Sequence, residues 1–505
     1  MVGYMWKPCA IGGIVGVVLS RALSVVLVSQ SISHISMLEA SAAGLAIGVM
    51  STFCALLLRS SSDEEPLLPS SCIGDWLTRL GGPAVLLNAI AGAMAIMHSL
   101  AFTSNSFTFN EDSIVLHLVQ TLTATVAVIA LYSRMPSNSS KQRAAGLRAL
   151  VCASATLLLN RIASYSTVCR EEQLPGCTPT FYGLPSASIS SVLLAAVNVT
   201  MVWLVPFVIM EFLKRSQSHR SMIARLWVSI GMRISMGMSA VYWLLDSIDG
   251  SYSSNTTLGS ANLGPSAVAG TKSDWSDLRI VLARMSVGIA LGCGLAAWWS
   301  SPFCLDVVVS TPSTLKPVGL VTRSSTKAQD AGLQKTAVVL GYGNAFGAAY
   351  LVFVTVVFCV LFLVQQPMGG IMLSLLLIKL LLCVETFDSL RDAFASDYSA
   401  SLLPAQMATM AMLAYLDYFS TGHQFTLVSI QWSTAFVGVR EMQLVICGLI
   451  VALNTLGSFI LASTCVPLAV LWNESLGSRL LRLAPESYVS RLAGAAALYT
   501  GYHAV

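Results

Sequence analysis

A polar and aromatic segment, residues 418–438, joins two strongly apolar segments near the C-terminus of this chain. It contains His423, Gln424, Gln431 and Trp432 within a short distance along the sequence. An imidazole can titrate near neutral pH or bind a phosphate oxygen, and side-chain amides both donate and accept hydrogen bonds. These residue types would suit the recognition of a phosphate or a sugar. The alternative is that His423 only bonds the local backbone and that Trp432 belongs to an interfacial aromatic belt.

Ionisable residues also occur at the edges of the apolar segments and inside them. Asp417 and Arg161 lie near segment ends, whereas Arg233, Arg284 and Lys379 lie deeper. A charge in hydrocarbon is costly, so each deep residue should face the protein interior and have a partner. We expect these residues to pair with carboxylates on neighbouring helices or to meet lipid phosphate, while those at the edges can also reach water. Asp417 and Arg161 are therefore candidates for contact with substrate or lipid, in addition to the residues of the polar segment.

The sequence lacks the short motifs that mark several soluble catalytic sites. It contains no H-E-x-x-H, no G-x-x-x-x-G-K-[ST] and no G-x-S-x-G. Its six histidines are scattered without the spacing of zinc ligands. We therefore predict no catalytic residue and no metal site within this chain.

The composition indicates a membrane protein rather than a soluble one. Of the 505 residues, 55% are hydrophobic and only 10% are charged, and the mean hydropathy is +0.73. Soluble chains carry about 25% charged residues. Apolar stretches long enough to cross a bilayer as helices recur along the whole length, whereas a transmembrane β-barrel would show shorter alternating segments. The net charge of +4 lies in loops that flank the membrane, so it does not suggest a nucleic-acid partner.

The predicted fold is an all-α bundle of about thirteen transmembrane helices without a soluble catalytic domain, occupying residues 1–505. The segment 442–471 is too long to stand upright, so it should tilt or protrude. The predicted spans are 9–29, 38–58, 81–101, 113–132, 146–164, 188–213, 224–246, 278–299, 338–364, 370–390, 403–420, 442–471 and 488–505.

Lysine and arginine are concentrated in every second loop, which predicts a cytosolic N-terminus by the positive-inside rule. The cytosolic loops at about 59–78 and 301–337 are rich in Ser, Thr and Pro and should be mobile. The predicted luminal loops are at about 102–112, 165–187, 247–277 and 419–440.

Two features of the predicted luminal loops agree with this orientation. Cys169 and Cys177 share one loop and are close enough in sequence to form a disulfide, which persists in an oxidising compartment. Asn255 begins an Asn-Thr-Thr sequon in another loop and is the predicted glycosylation site.

Three predicted luminal segments resemble, in order along the chain, motifs of the GPI ethanolamine phosphate transferases. The last two are the more specific, and they are most similar to the member that acts on the third mannose, with the type 2 relative as the alternative. The segments are Ser104-Asn-Ser106 with Asn110-Glu-Asp112, then Arg161 with Cys169-Arg-Glu-Glu172 and Cys177, and finally Ser420-Thr-Gly-His-Gln424 with Trp432 and Ala435-Phe-Val-Gly438.

The resemblance implies a transferase of phosphorus-containing groups in the endoplasmic reticulum membrane. Members of that family carry a luminal phosphatase-like domain, with two zinc ions and a threonine nucleophile, ahead of a multi-span membrane region. No segment of this chain matches that domain, so we expect a membrane region without its own cofactor. Its implied partners are phosphatidylethanolamine, GPI intermediates and a small membrane subunit of the transferase.

A second reading of the same residues is a secondary transporter or a lipid scramblase. Many spans with buried Arg233, Arg284, Lys379 and Asp417 would suit it. Such proteins usually have two related halves with paired discontinuous helices, and the sequence shows no long internal repeat.

Overall fold

The computed structural model describes most of the chain from residue 83 onwards. The described ranges are 83–103, 111–134, 140–164, 189–215, 222–259, 275–301, 305–310, 336–342, 346–394, 402–423, 431–472 and 485–504. The predicted spans 9–29 and 38–58 and the predicted loop 59–78 lie outside these ranges.

Helices dominate the described residues. They are α1 (Pro83–Thr103), α2 (Glu111–Arg134), α3 (Ser140–Ala163), α4 (Ile189–Arg215), α5 (Met222–Leu226), α6 (Met232–Gly259), α7 (Ser276–Ser300), α8 (Phe346–Val364), α9 (Pro367–Phe394), α10 (Leu403–Ser420), α11 (Leu444–Thr455), α12 (Gly457–Leu471) and α13 (Pro485–Ala504). A π-helical turn, Trp227–Gly231, joins α5 to α6, and a 3-10 turn, Trp432–Phe436, precedes α11. Two short antiparallel strands, β1 (Leu305–Ser310) and β2 (Thr336–Tyr342), pair with each other.

Seven helices in the described part of the chain are long and apolar enough to cross a membrane, or eight if α11 and α12 form one bent span. Their outer faces carry large apolar side chains such as Trp203, Phe207 and Trp299. A helix that is apolar on all sides suits hydrocarbon surroundings, because a soluble bundle would present a polar face to water. The architecture therefore agrees with a helical membrane protein.

Helix α9 is the centre of the bundle and is buried along almost its whole length. It packs against α2, α3, α4, α8, α10 and α12. Leu376, Leu377 and Leu380 on α9 have essentially no exposed surface. Because α9 is surrounded, any polar side chain near its middle must find its partners inside the protein.

The π-helical turn fixes how α6, α7 and α8 pack together. It places Trp227 in the core, where the indole Nε1 donates a hydrogen bond to the Thr355 hydroxyl at 2.8 Å. A Cβ added to Gly294 of α7 would lie 2.9 Å from the Trp227 ring and 2.4 Å from a methyl group of Val356. Only glycine therefore allows α7 to approach this closely.

Four of the predicted boundaries differ from the structure. The segment 442–471 does not form one tilted helix, because α11 and α12 are bent by 70° at Leu456. The segment 338–364 begins as strand β2, and its helix starts only at Phe346. Helix α6 continues to Gly259, so the first part of the predicted loop 247–277 is helical. The strands β1 and β2 lie within or at the edge of the predicted loop 301–337, and helices make up the rest of the regular structure in the described residues, as the all-α prediction expects.

Candidate functional site

The bend between α11 and α12 is contacted by a buried glutamine, Gln365. Gln365, at the turn between α8 and α9, donates a hydrogen bond from Nε2 to the Asn454 carbonyl oxygen at 2.6 Å. This oxygen lies in the last turn of α11, where the helix itself supplies no donor. A Cβ added to Gly457 would lie 3.0 Å from the same Nε2 atom. At the break, the Gln365 amide therefore supplies a hydrogen bond that the helix lacks, and the small Gly457 leaves room for this amide.

Asp417 lies beside the first turn of α12. It is on α10 and is 1% exposed. The Ser458 hydroxyl donates a hydrogen bond to its Oδ2 atom at 2.8 Å. The Oδ1 atom has no hydrogen-bond partner among the described residues. The carboxylate is thus held from one side, and the favourable dipole of the α12 N-terminus adds to this support.

Lys379 lies at the middle of α9 and is the only lysine in the described residues that is fully buried, with 0% of its surface exposed. Its Nζ atom has no hydrogen-bond partner in the part of the chain that the structure describes. It makes no hydrogen bond to Asp417 on α10, although α9 and α10 pack against each other. Among the described residues, Lys379 therefore makes no hydrogen-bonded pair with a carboxylate on a neighbouring helix.

His423 follows α10 by three residues and is buried, with 1% of its surface exposed. Its ring stacks on Tyr418 with the centroids 5.5 Å apart, and its backbone N–H donates to the Tyr418 carbonyl at 3.2 Å. Gly422, with φ of 80°, makes the turn that brings the ring back onto α10. Burial lowers the pKa of His423 to about 4. The imidazole is therefore neutral at physiological pH, and neither ring nitrogen has a hydrogen-bond partner among the described residues.

Gln431 and Trp432 lie at the start of the short 3-10 turn. The Asn454 Nδ2 atom donates to the Gln431 Oε1 atom at 3.4 Å, which connects Gln431 to the helix break. The Trp432 ring is 64% exposed, so it does not belong to the packed core. An outward-facing indole next to apolar helices fits an interfacial position instead.

The remaining arginines lie away from the helix break. Arg161 is partly exposed at the end of α3, and no hydrogen bond joins its side chain to Asp417, His423 or Gln431. The Arg284 Nε atom donates to the Gly438 carbonyl at 3.1 Å and so ties the end of the polar segment to α7. Arg233 lies over the ring of Trp203 at 5.1 Å.

The structure does not test several of the predicted site residues. Gln424, Cys169 and Cys177 lie outside the described residues. Asn255 lies in the C-terminal part of α6, and its glycosylation stays a prediction, as does the disulfide.

The helix break brings together residues that the sequence reading missed. Gln365, Asn454 and Ser458 looked like ordinary polar residues within or beside apolar segments. The feature that could have revealed the break is the sequence Asn-Thr-Leu-Gly-Ser, which lies in the middle of a segment too long for one upright span. The same neighbourhood contains no metal site, since nowhere in the described ranges do three or more His, Cys, Asp or Glu side chains come together to hold a metal. The described residues therefore do not fit the zinc ions that the family resemblance implies.

Comparison with known proteins identifies three relatives with the same name. The chain is 26% identical over 419 residues to GPI ethanolamine phosphate transferase 3 of Eremothecium gossypii, covering 77% of this chain and 36% of the relative. It is 25% identical over 413 residues to the protein of that name from Saccharomyces cerevisiae, with 76% and 36% covered. The protein of that name from Schizosaccharomyces pombe is 20% identical over 376 residues, with 74% and 33% covered.

No family model and no solved structure matches this chain. The chain spans about a third of the length of the curated relatives that it matches. The resemblance suggested by the three motifs is nevertheless confirmed, because all three relatives are type 3 proteins. Over about three quarters of its length, this membrane-type helical chain is similar to the GPI ethanolamine phosphate transferases of type 3.

Proposed function

We propose that this chain is the membrane region of an ethanolamine phosphate transferase that acts in GPI-anchor assembly in the endoplasmic reticulum. The similarity to three type 3 transferases over about three quarters of the chain carries the proposal. The apolar outer surface of the bundle supports it, since the substrates of such a reaction are lipids. The role of this region would be to hold and orient phosphatidylethanolamine and the lipid-linked GPI acceptor.

The polar side chains next to the helix break are suited to this role. His423 and Gln431 lie in the predicted luminal loop, whereas Asp417 lies on α10 and Lys379 lies at the middle of α9. Neutral imidazole and amide groups can bind phosphate and sugar hydroxyls without the cost of burying another charge. In this proposal the described residues bind substrate, while the covalent transfer takes place on a part that these residues do not include. A small membrane subunit that binds the bundle is a further part of the proposal, and the family resemblance supports it.

Replacement of the matching region in a relative would test this function. In a yeast strain that depends on its type 3 transferase, the aligned region of that enzyme would be exchanged for this chain. We expect the chimaera to restore growth and to remove GPI intermediates that lack ethanolamine phosphate. The same chimaera with Asp417→Ala is the control, because we expect it to be produced at the same level without restoring growth. A stable chimaera at normal abundance that restores neither property would refute the proposal.

One observation favours a transporter or scramblase as the second candidate. Helices broken near buried charges are characteristic of many secondary transporters, and the bend at Leu456 lies beside Asp417. Reconstituted vesicles with fluorescent phosphatidylethanolamine would decide between the two. Transbilayer movement that depends on this chain, together with a chimaera that fails, would favour the second candidate.

A further inference from the structure

One cation inside a membrane-type helix has no acidic partner in the described part of the chain. Arg233 lies on α6, within the apolar segment Met222–Ile248. Its Nε atom is buried and has no hydrogen-bond partner among the described residues, and none of their ion pairs includes it. A guanidinium stays charged in proteins, and a charge in hydrocarbon is costly. Arg233 therefore needs an acceptor from another source.

Two other arginines show how this chain satisfies a guanidinium by itself. On α7, the Arg279 side chain pairs with the Asp246 carboxylate. The Arg284 Nε atom, on the same helix, donates to the Gly438 carbonyl at 3.1 Å. Each has an oxygen acceptor on another element, and Arg233 has none among the described residues.

The Arg233 side chain lies at the outer surface between α4 and α6. It is partly exposed, and its Cζ atom lies 5.1 Å from the centre of the Trp203 ring, which is 65% exposed. The two helices pack closely here, because a Cβ added to Gly237 would lie 3.9 Å from a methyl group of Val202. The indole attracts the charge but offers no oxygen acceptor. The N–H donors of Arg233 therefore stay available at this surface.

Arg233 lies nearer to the predicted cytosolic ends of these helices than to the luminal ends. Arg225 precedes it by eight residues, about 12 Å along a helix, whereas Asp246 follows it by 13 residues, about 20 Å. Side chains of a helix lean towards its N-terminus, which is the predicted cytosolic end of α6. A long arginine side chain can extend further in that direction to reach a polar group. The guanidinium is therefore placed to meet a phosphate of the cytosolic leaflet.

We propose that Arg233 and Trp203 form a surface site for the phosphate of an anionic glycerophospholipid. The inference goes beyond the proposed function, because this lipid is a bound partner on other helices than the polar segment and is not a substrate. The planar fork of the guanidinium matches two phosphate oxygens, and the ring of Trp203 holds it in place. The acyl chains would pack on the exposed apolar side chains Phe207, Ile230 and Ile234 on either side.

Charge complementarity favours an anionic lipid over a zwitterionic one. Phosphatidylinositol carries a phosphate and no ammonium, so it neutralises the guanidinium. In phosphatidylcholine and phosphatidylethanolamine, an ammonium lies beside the phosphate and repels the cation. Anionic lipids are also enriched in cytosolic leaflets.

Native mass spectrometry of the full 505-residue chain in detergent would test the site. The protein would be mixed with phosphatidylinositol, phosphatidylcholine or phosphatidylethanolamine that carry the same acyl chains. The measured quantity is the retention of each lipid that is lost on Arg233→Met. We expect phosphatidylinositol retention to fall about tenfold, because a charge-assisted hydrogen bond is removed, and retention of the two zwitterionic lipids to change little.

Variants of Trp203 test the second part of the site. Trp203→Leu should lower phosphatidylinositol retention about threefold, since it removes the cation–π contact and keeps the surface apolar. Trp203→Phe keeps an aromatic face and should retain most of the binding. Equal retention by Trp203→Leu and wild type would remove the ring from the site.

Lys214→Met is the matched control for charge. Lys214 is exposed on α4 and pairs with Glu211 at 2.5 Å, so its loss should leave lipid retention unchanged. Arg233→Met should fold, because it removes an unpaired charge from an apolar segment. Phosphatidylinositol should raise the thermal unfolding midpoint of the wild type and leave that of Arg233→Met unchanged.

Three results would overturn the proposal. One is equal retention of phosphatidylinositol by folded Arg233→Met and by the wild type. Another is an equal loss of all three lipids in this variant, which would show that the site does not select for charge. The third is unchanged lipid retention together with loss of a co-purifying membrane protein, which would assign Arg233 to a carboxylate of that protein. Since no assay requires turnover, these outcomes do not depend on whether the chimaera functions.

Discussion

The contact between Gly457 and Gln365 predicts a strong energetic coupling at the helix break. In Gly457→Ala, the new Cβ would lie 3.0 Å from the Gln365 Nε2 atom, which is tighter than ordinary packing. The amide must then shift by a few tenths of an ångström, and we expect this shift to weaken its hydrogen bond to the Asn454 carbonyl, which is now 2.6 Å long. A buried carbonyl left without its donor costs about 1–3 kcal/mol. The gain in helix propensity from glycine to alanine, up to about 1 kcal/mol, offsets only part of this loss.

A double-mutant cycle measures this coupling directly. Gln365→Ala alone should destabilise the protein by about 1–3 kcal/mol, because it removes the same hydrogen bond. In the Gln365→Ala background, Gly457→Ala should be neutral or slightly stabilising, since no amide remains to be displaced. The coupling free energy should therefore be about 1–3 kcal/mol. The free energy of unfolding would be measured in mild detergent by denaturant titration, with tryptophan fluorescence as the signal.

Gly448→Ala provides the control for the cycle. Gly448 lies on α11, is exposed, and would have no described atom within 4 Å of an added Cβ. Its substitution should show no coupling to Gln365→Ala. An equal cost of Gly457→Ala in both backgrounds would refute the reasoning, because the strain would then come from something other than the glutamine.

Three further predictions concern other parts of the chain. The pKa of His423 is about 4 in the folded protein, below its usual value near 6.5, so protonation favours the unfolded state. The free energy of unfolding should have its full value above pH 6.5 and fall by about 3 kcal/mol as the pH drops to 4. His423→Phe should remove this dependence in unfolding titrations at several pH values. Gly294→Ala should lower the free energy of unfolding by about 1–3 kcal/mol, because its Cβ would overlap Trp227 and Val356, whereas Gly292→Ala on the open face of α7 should cost nothing. Non-reducing mass spectrometry of protein from the endoplasmic reticulum should show a peptide linked through Cys169 and Cys177, and free thiols at both positions would contradict the predicted topology.

The sequence alone determined that this is a helical membrane protein and which family it resembles. Apolar stretches of bilayer length and a low content of charge are properties of composition, so they need no tertiary information. Each of the eleven predicted spans from residue 81 onwards overlaps at least one helix of the structure. The family motifs were visible because they are short runs of residues close together in the sequence.

The contacts of the polar residues depend on tertiary packing. Gln365 meets Asn454, and Asp417 meets Ser458, although each pair is far apart in sequence. They meet because α8 packs against α11 and α12, and α10 packs against α12. The bend at Leu456 is followed by Gly457, which the Gln365 side chain approaches from the turn between α8 and α9, and periodicity along one segment cannot reveal this contact. His423 looked like a surface loop residue, but the turn at Gly422 folds it against Tyr418. Hydrophobic periodicity reports which segments enter the membrane, whereas the partners of a buried charge depend on how those segments pack against one another.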